Sequence, residues 1–289
     1  MTGKLYYEDA YLSEFEAGVE EVRITDEGLL IRLDATAFYP EGGGQPADTG
    51  RILLEDGTVL IITDVQEEEG DVWHKAAFSD KQDIPSVGSQ VTGMIDWDRR
   101  FDHMQQHSGE HIVSGMICSE FNCDNVGFHM GEDTVTIDYN TRISYEQALE
   151  IERRANAYIW QDHEFKAWWP SEDELASIDH RSKKELDGNV RITSFPGADT
   201  CACCGVHVST SSQVGLVKFI SAKNFHEGTR LELLCGRRAY EYLSMNHRAN
   251  KSTAVLLSTP FRRGRHTQTI PHSDTARHIL LLTHSHPNH

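Results

Sequence analysis

The chain has 289 residues, a formal net charge of −18 and 38% hydrophobic residues. That length exceeds the range over which one core keeps growing, so more than one folded domain is expected. No apolar run is long enough to span a bilayer. The six cysteines, with no apolar leader after Met1, read as free thiols or ligands of a cytoplasmic protein rather than as a disulfide frame.

The charge is unevenly spread. Residues 246–289 carry six Lys/Arg against one acid and seven of the sixteen histidines, which leaves 21 bases and 44 acids in the body. So acidic a body is a poor nonspecific binder of nucleic acid, because phosphate affinity comes from Lys and Arg. Any RNA contact must then use local basic spots. Arg99-Arg100, Arg153-Arg154, Lys183-Lys184, Lys218 to Lys223 and Arg237-Arg238 are the candidates.

In chain order, residues 1–95 read as β. Short apolar runs at 21–24, 28–33, 51–54 and 59–62 are separated by Asp-Gly and Glu-Gly turn signals, and a further strand is expected over 91–96. This spacing predicts a small β-barrel-like domain. From Asp98 to about Glu120 the apolar residues Met104, Ile112, Val113, Met116 and Ile117 have helical spacing, with His103, His107 and His111 on one face. A strand is expected at 134–139. Ser144-Tyr145-Glu146-Gln147 then opens an amphipathic helix to about Gln161 that buries Ala148, Ile151, Ala155 and Ile159. A strand at 165–169, a short acidic helix after Ser171, and strands at 190–192, 215–220 and 229–234 complete an α+β domain over 96–245. Periodicity fades after residue 246, so 246–289 reads as a basic, His-rich tail.

Two segments carry metal-ligand residues. His107-Ser108-Gly109-Glu110-His111 and Cys203-Cys204-Gly205-Val206-His207 each place two ligand residues four positions apart. Three imidazoles and one thiolate suffice for one tetrahedral Zn²⁺. A competing Cys201/Cys204 pair would give the C-x-x-C of a structural zinc knot but would leave His107 and His111 unexplained. His107 to His111 also fits H-x-x-E-H, the pattern of a metallopeptidase class in which the Glu is the general base.

A third segment runs from Leu33 through Thr36 and Phe38-Tyr39-Pro40-Glu41-Gly42-Gly43-Gly44-Gln45 to Gly50. Its consecutive glycines permit φ > 0 and close approach to backbone N–H groups. Thr36, with its hydroxyl, and Gln45, with its amide, are the substrate-side candidates, together with the backbone of Gly43 and Gly44.

In this order, the Gly-rich, HxxxH and CxxxH segments resemble the AlaX-type alanyl-tRNA editing proteins and the editing domain of alanyl-tRNA synthetase, over about residues 1–245. The resemblance implies a zinc-dependent hydrolase that deacylates tRNA(Ala) mischarged with serine or glycine, with His107, His111, Cys203 and His207 as zinc ligands. Val206 stands where that family usually has threonine, and residues after 246 do not resemble its helical oligomerisation region. The sequence assigns no catalytic base and no oligomeric state. Three classes remain open: a deacylase, a metallopeptidase, and a non-catalytic zinc-stabilised RNA-binding module.

Overall fold

A computed structural model describes residues 1–26, 28–77, 84–182 and 190–256. Met1–Ser244 form one compact unit, and a second begins at Met245. The architecture is mixed α+β with a closed six-stranded barrel.

The chain opens with β1 (Gly3–Lys4) and the single turn α1 (Leu5–Glu8), which the β-rich reading of residues 1–95 does not contain. The barrel strands are β2 (Glu14–Thr25), β3 (Gly28–Leu33), β5 (Gly50–Leu54), β6 (Val59–Glu68), β7 (Asp71–Ala76) and β8 (Gln90–Ile95), joined in the order β2-β3-β7-β6-β5-β8. Every barrel pairing is antiparallel, and β2 with β8 closes the ring. Alternation fixes what faces inward: Leu29, Ile31 and Leu33 of β3 are fully buried and pack with Val19, Ile52, Leu60, Ile62 and Val72. The short β4 (Ala35–Thr36) pairs in parallel with β1.

Beyond the barrel lies α2 (Trp97–Phe121), capped by Asp96, whose side chain accepts from Arg99 N at 3.3 Å. Asn122 ends it in the left-handed region at φ 47°. The helix is polar in composition yet buried on nearly all sides from Arg100 to Ile117. It tolerates this because many of its polar side chains are hydrogen-bonded, Arg100 to Asp48 and Gln106 to Cys235 among them. Gln106 exchanges two bonds with the backbone of Cys235, at 2.9 and 2.8 Å, and Gln105 Nε2 donates to Gln213 O at 2.9 Å.

One face of α2 meets an antiparallel sheet of order β14-β15-β10-β9, formed by β9 (Asn125–Met130), β10 (Val135–Tyr139), β14 (Val217–Phe225) and β15 (Gly228–Cys235). The helix α3 (Tyr145–Ile159) begins at the expected capping box: Ser144 Oγ accepts from Gln147 N at 3.2 Å and Gln147 Oε1 from Ser144 N at 2.8 Å. It buries Ala148, Ile151, Ala155 and Ile159 as its spacing requires. Asn156 fixes it to β14 through Val217 N and O. A three-stranded sheet, β11 (Lys166–Trp168), β12 (Ile192–Phe195) and β13 (Asp199–Ala202), carries the chain towards Cys203. Between β11 and β12 lies the expected short acidic helix, α4 (Glu172–Ser177).

The last helix, α5 (Gly236–Leu256), runs on past residue 246, where the sequence reading starts a tail. No proline falls in 236–256, and the first one after it is Pro260. Residues 257–289 of the expected tail lie outside the described residues. No described helix is long and apolar enough to cross a membrane.

Candidate metal centre

The buried middle of α2 presents His107 and His111 one turn apart. The loop after β13 returns Cys203 and His207 to the same place, although 96 residues separate His107 from Cys203. The ligand atoms of His107, His111, Cys203 and His207 all lie within 4.8 Å of one another. Cys203 Sγ is 3.6 Å from His107 Nε2 and 3.4 Å from His207 Nε2. With Zn–S near 2.3 Å and Zn–N near 2.1 Å, S···N edges of a tetrahedron are about 3.6 Å. The donor set therefore fits a zinc-sized ion. His111 Nε2 points the same way: it is buried and has no hydrogen-bond partner among the described residues.

Each imidazole is oriented by a partner on its other nitrogen, as metal-ligating histidines usually are. His107 Nδ1 lies 2.9 Å from Gln45 Oε1, His111 Nδ1 2.8 Å from Asp199 Oδ2, and His207 Nδ1 3.3 Å from Ser108 Oγ. Asp199 is held in turn by Arg181, whose Nε and Nη2 donate to it at 2.8 and 2.6 Å. The HxxxH and CxxxH spacings say nothing of Asp199, Ser108 or Arg181. Ser108 and Asp199 have only the signal of a hydroxyl or an acid lying within or beside a ligand segment, and Arg181, 18 residues before Asp199, has none.

The electrostatics favour a cation. Burial alone would raise the Cys203 thiol, but the adjacent His107, His111 and His207 hold it well below the usual thiol range. Burial works against charge on His111, yet Cys203, Glu110 and Asp199 raise it well above the usual imidazole range. His207 is pushed down to about 3, chiefly by burial, so it is neutral and able to coordinate. Glu110 is buried, accepts from Ser114 Oγ and Asn125 Nδ2 at 2.6 Å each, and has Oε2 3.9 Å from His111 Nε2.

The Gly-rich segment reaches this centre through a two-residue turn. Gly42 and Gln45 exchange backbone bonds at 3.1 and 2.9 Å, with Gly43 at φ 60° and Gly44 at φ 82°. A Cβ on Gly44 would collide with the Phe128 ring, and one on Gly43 would lie 3.1 Å from Cys204 Sγ. The Cα side of each glycine is thus packed against protein while the turn itself stays exposed, and it delivers the buried Gln45 to His107 and to Val206 N, at 3.3 Å. Gln45 Nε2 is buried without a hydrogen-bond partner among the described residues. Gly205 is required for a different reason, since a Cβ there would overlap the His107 ring. Thr36 is buried in a separate cluster, where its hydroxyl pairs with His74 Nε2 at 2.8 Å and accepts from Phe38 N at 3.1 Å.

The remaining sequence candidates are placed as follows. His103 is 2% exposed and lines a cavity of about 470 Å³ with Arg99, His129, Arg237 and Arg238; His129 itself is exposed on β9. Cys201 and Cys235 are buried, and Cys204 is exposed. Most of the basic pairs are engaged by acids: Arg100 with Asp48, Arg153 with Glu150, Arg154 with Glu120, Lys218 with Glu152, Lys223 with Glu232 and Arg238 with Asp102. Lys183-Lys184 lies outside the described residues.

Residues 5–99 match the family described as tRNA synthetases class II (A). Residues 190–231 match the threonyl and alanyl tRNA synthetase second additional domain. Over 238 residues the chain is 34% identical to alanyl-tRNA editing protein AlaX-M of Methanosarcina barkeri, covering 80% of this chain and 97% of that protein. Over 245 residues it is 30% identical to AlaX-L of Pyrococcus horikoshii, covering 83% of this chain; it spans 59% of the length of that relative. It is also 32% identical over 268 residues to the alanine–tRNA ligase of Pyrococcus furiosus, covering 90% of this chain and 28% of the ligase. With relatives this similar along nearly their full length, the chain belongs to the family of alanyl-tRNA editing proteins, AlaX.

Proposed function

We propose that this protein is a cytoplasmic, zinc-dependent editing hydrolase that cleaves the aminoacyl ester of tRNA(Ala) mischarged with serine or glycine. One Zn²⁺ per chain is held by His107, His111, Cys203 and His207, in an editing domain of about residues 96–245, with the barrel of residues 1–95 beside it. The observation that carries the reading is the four-donor cluster, His107, His111, Cys203 and His207, oriented by Gln45, Asp199 and Ser108 in a chain of the AlaX family.

A synthetase pocket made for alanine discriminates weakly against glycine, or against an analogue that adds only a hydroxyl, so a second hydrolytic site is the physical remedy. Zinc bound here supplies a fixed positive centre for the amino-acid end of the substrate. The protein does the rest by positioning. Gln45 Oε1 holds His107, and its buried Nε2 offers a donor to the ester carbonyl. The glycine turn brings exposed backbone of Gly43 and Gly44 alongside. Thr36 is a less direct candidate, because its hydroxyl is committed to His74. The metallopeptidase reading is disfavoured by the donor count, since four protein ligands leave a tetrahedral ion no open position for water.

The test is to incubate zinc-loaded protein with Ser-tRNA(Ala), Gly-tRNA(Ala) and Ala-tRNA(Ala) and follow amino-acid release. Serine or glycine should be released while Ala-tRNA(Ala) is spared. All three esters decaying at their buffer rate would leave the RNA-binding module, and cleavage of unstructured peptide would restore the metallopeptidase.

A further inference from the structure

Beside the ligand loop lies a ledge of two aromatic rings and a guanidinium that the metal centre does not use. Arg191 Nη1 donates to Cys203 O at 3.2 Å and to Gly205 O at 2.7 Å, which ties it to the backbone of the ligand loop. Its guanidinium carbon stands 4.9 Å from the centroid of the Tyr7 ring. Tyr7 meets Trp169 edge to face, with centroids 5.5 Å apart and planes at 84°. Trp169 is 46% exposed, and β11 just before it is exposed along its whole length at the edge of its sheet.

An indole left half in water forgoes burial that a core position would give it. Aromatic faces next to an arginine are the recurring means of holding unpaired bases, which stack on them whatever their identity. The chemistry of the substrate sets where such a base must be. In an aminoacyl-tRNA the ester sits on the terminal ribose, and the terminal base hangs from that same sugar. A site that holds the ester must therefore find the base within one nucleotide of it.

We propose that Trp169 and Tyr7, steadied by Arg191, stack an unpaired base at the 3′ end of an RNA substrate. The proposal rests on the editing reading for its choice of ligand, and it deepens that reading by naming where the RNA end is held. Arg191 serves two partners, the ring of Tyr7 and the carbonyls of the ligand loop, so an occupied ledge also steadies the loop that carries Cys203 and His207.

The experiment measures binding of a short unacylated ribonucleotide ending in CCA to the zinc-loaded full chain, by quenching of tryptophan fluorescence and by calorimetry. Stacking is worth about 1–3 kcal/mol per base, so Trp169→Ala should weaken binding by about 5- to 150-fold while thermal melting and zinc content stay unchanged. Trp160→Ala removes an exposed indole that has no ring contact with Tyr7 or Trp169 among the described residues, and should leave binding unchanged. Replacing the terminal adenosine by another nucleoside should alter affinity only a few-fold. Undetectable binding by the unmodified protein overturns the proposal, as does equal binding by Trp169→Ala, or an equal loss in Trp160→Ala. The two readings fail separately. Deacylation with no effect of Trp169→Ala on oligonucleotide binding removes the ledge and leaves the editing function. Oligonucleotide binding that depends on Trp169 in a protein that cleaves no ester keeps the ledge and removes the function.

Discussion

Gln45 Oε1 lies 2.9 Å from His107 Nδ1, which joins a glycine turn to a helix residue 62 positions later. With Nε2 of His107 turned towards Cys203, the Nδ1–H must donate, and the Gln45 carbonyl is the acceptor that fixes that tautomer. Gln45→Leu should lower zinc affinity by roughly 10–100-fold, the usual cost of losing such a partner. Gln45→Glu, which keeps an acceptor, should retain most of it. Competition with a chromophoric chelator measures both, and an unchanged affinity in Gln45→Leu would separate the turn from the metal.

Metal content should distinguish the three neighbouring thiols. Purified protein is expected to hold about one zinc per chain, in line with a single four-donor site. Cys203→Ala should lose most of it, whereas Cys201→Ala and Cys204→Ala should keep it. Elemental analysis after dialysis against a weak chelator is the measurement. Retention by Cys203→Ala together with loss by Cys201→Ala would move the site towards the alternative group of His111, Asp199 and Cys201.

Arg100 and Asp48 form a fully buried ion pair between the first turn of α2 and the segment before β5. Arg100 also donates to Ala10 O and Ala37 O, and Asp48 accepts from Tyr39 N. Removing one partner leaves a charge stranded away from water, so Asp48→Ala should cost about 3–5 kcal/mol of stability in denaturant titrations. The double variant Arg100→Met/Asp48→Leu should recover little, because those three backbone groups would still lack partners. A double variant as stable as the starting protein would show that the pair is dispensable.

His74 makes a pH-dependent contribution. Burial pushes it down to about 4, against the opposing bond to Ile31 O. Its Nδ1–H faces Ile31 O at 2.9 Å, and its Nε2 accepts from Thr36 at 2.8 Å, so the folded state holds it neutral. Above its unfolded pKa of about 6.5 neither state is protonated and nothing is lost. Between about 6.5 and 4 only the unfolded chain takes up the proton, and stability falls as pH falls. From pH 7 to pH 5 this one group should account for about 2 kcal/mol. Guanidinium unfolding at the two pH values, compared with His74→Gln, isolates it: the variant should lose less than the parent. Parallel losses would assign the acid sensitivity elsewhere.

Local patterns in the sequence were informative where a local rule governs. The Ser144–Gln147 box, the alternation of Leu29, Ile31 and Leu33, and the four-residue spacing of His107 and His111 are each set by neighbours in the chain. What the sequence hid depends on distant partners. The polar stretch of α2 does not look like a buried helix until Gln106 meets Cys235 and Arg100 meets Asp48. Asp199 and Ser108 join the candidate metal centre only through contacts spanning 88 and 99 residues. The strand β9, with Asn125, Gly127 and His129, has little strand propensity of its own and is held by pairing with β10.

The 96-residue separation of His107 and Cys203 also has a kinetic meaning. Bringing the two halves of the donor set together requires closing a long loop, which comes late when short-range contacts form first. An ion that needs all four donors then has nothing to grip in the folding transition state, and its binding energy weighs on the native side alone. Zinc should leave the refolding rate nearly unchanged and slow unfolding, so that the ion acts as a latch on a finished fold and not as a template for making it.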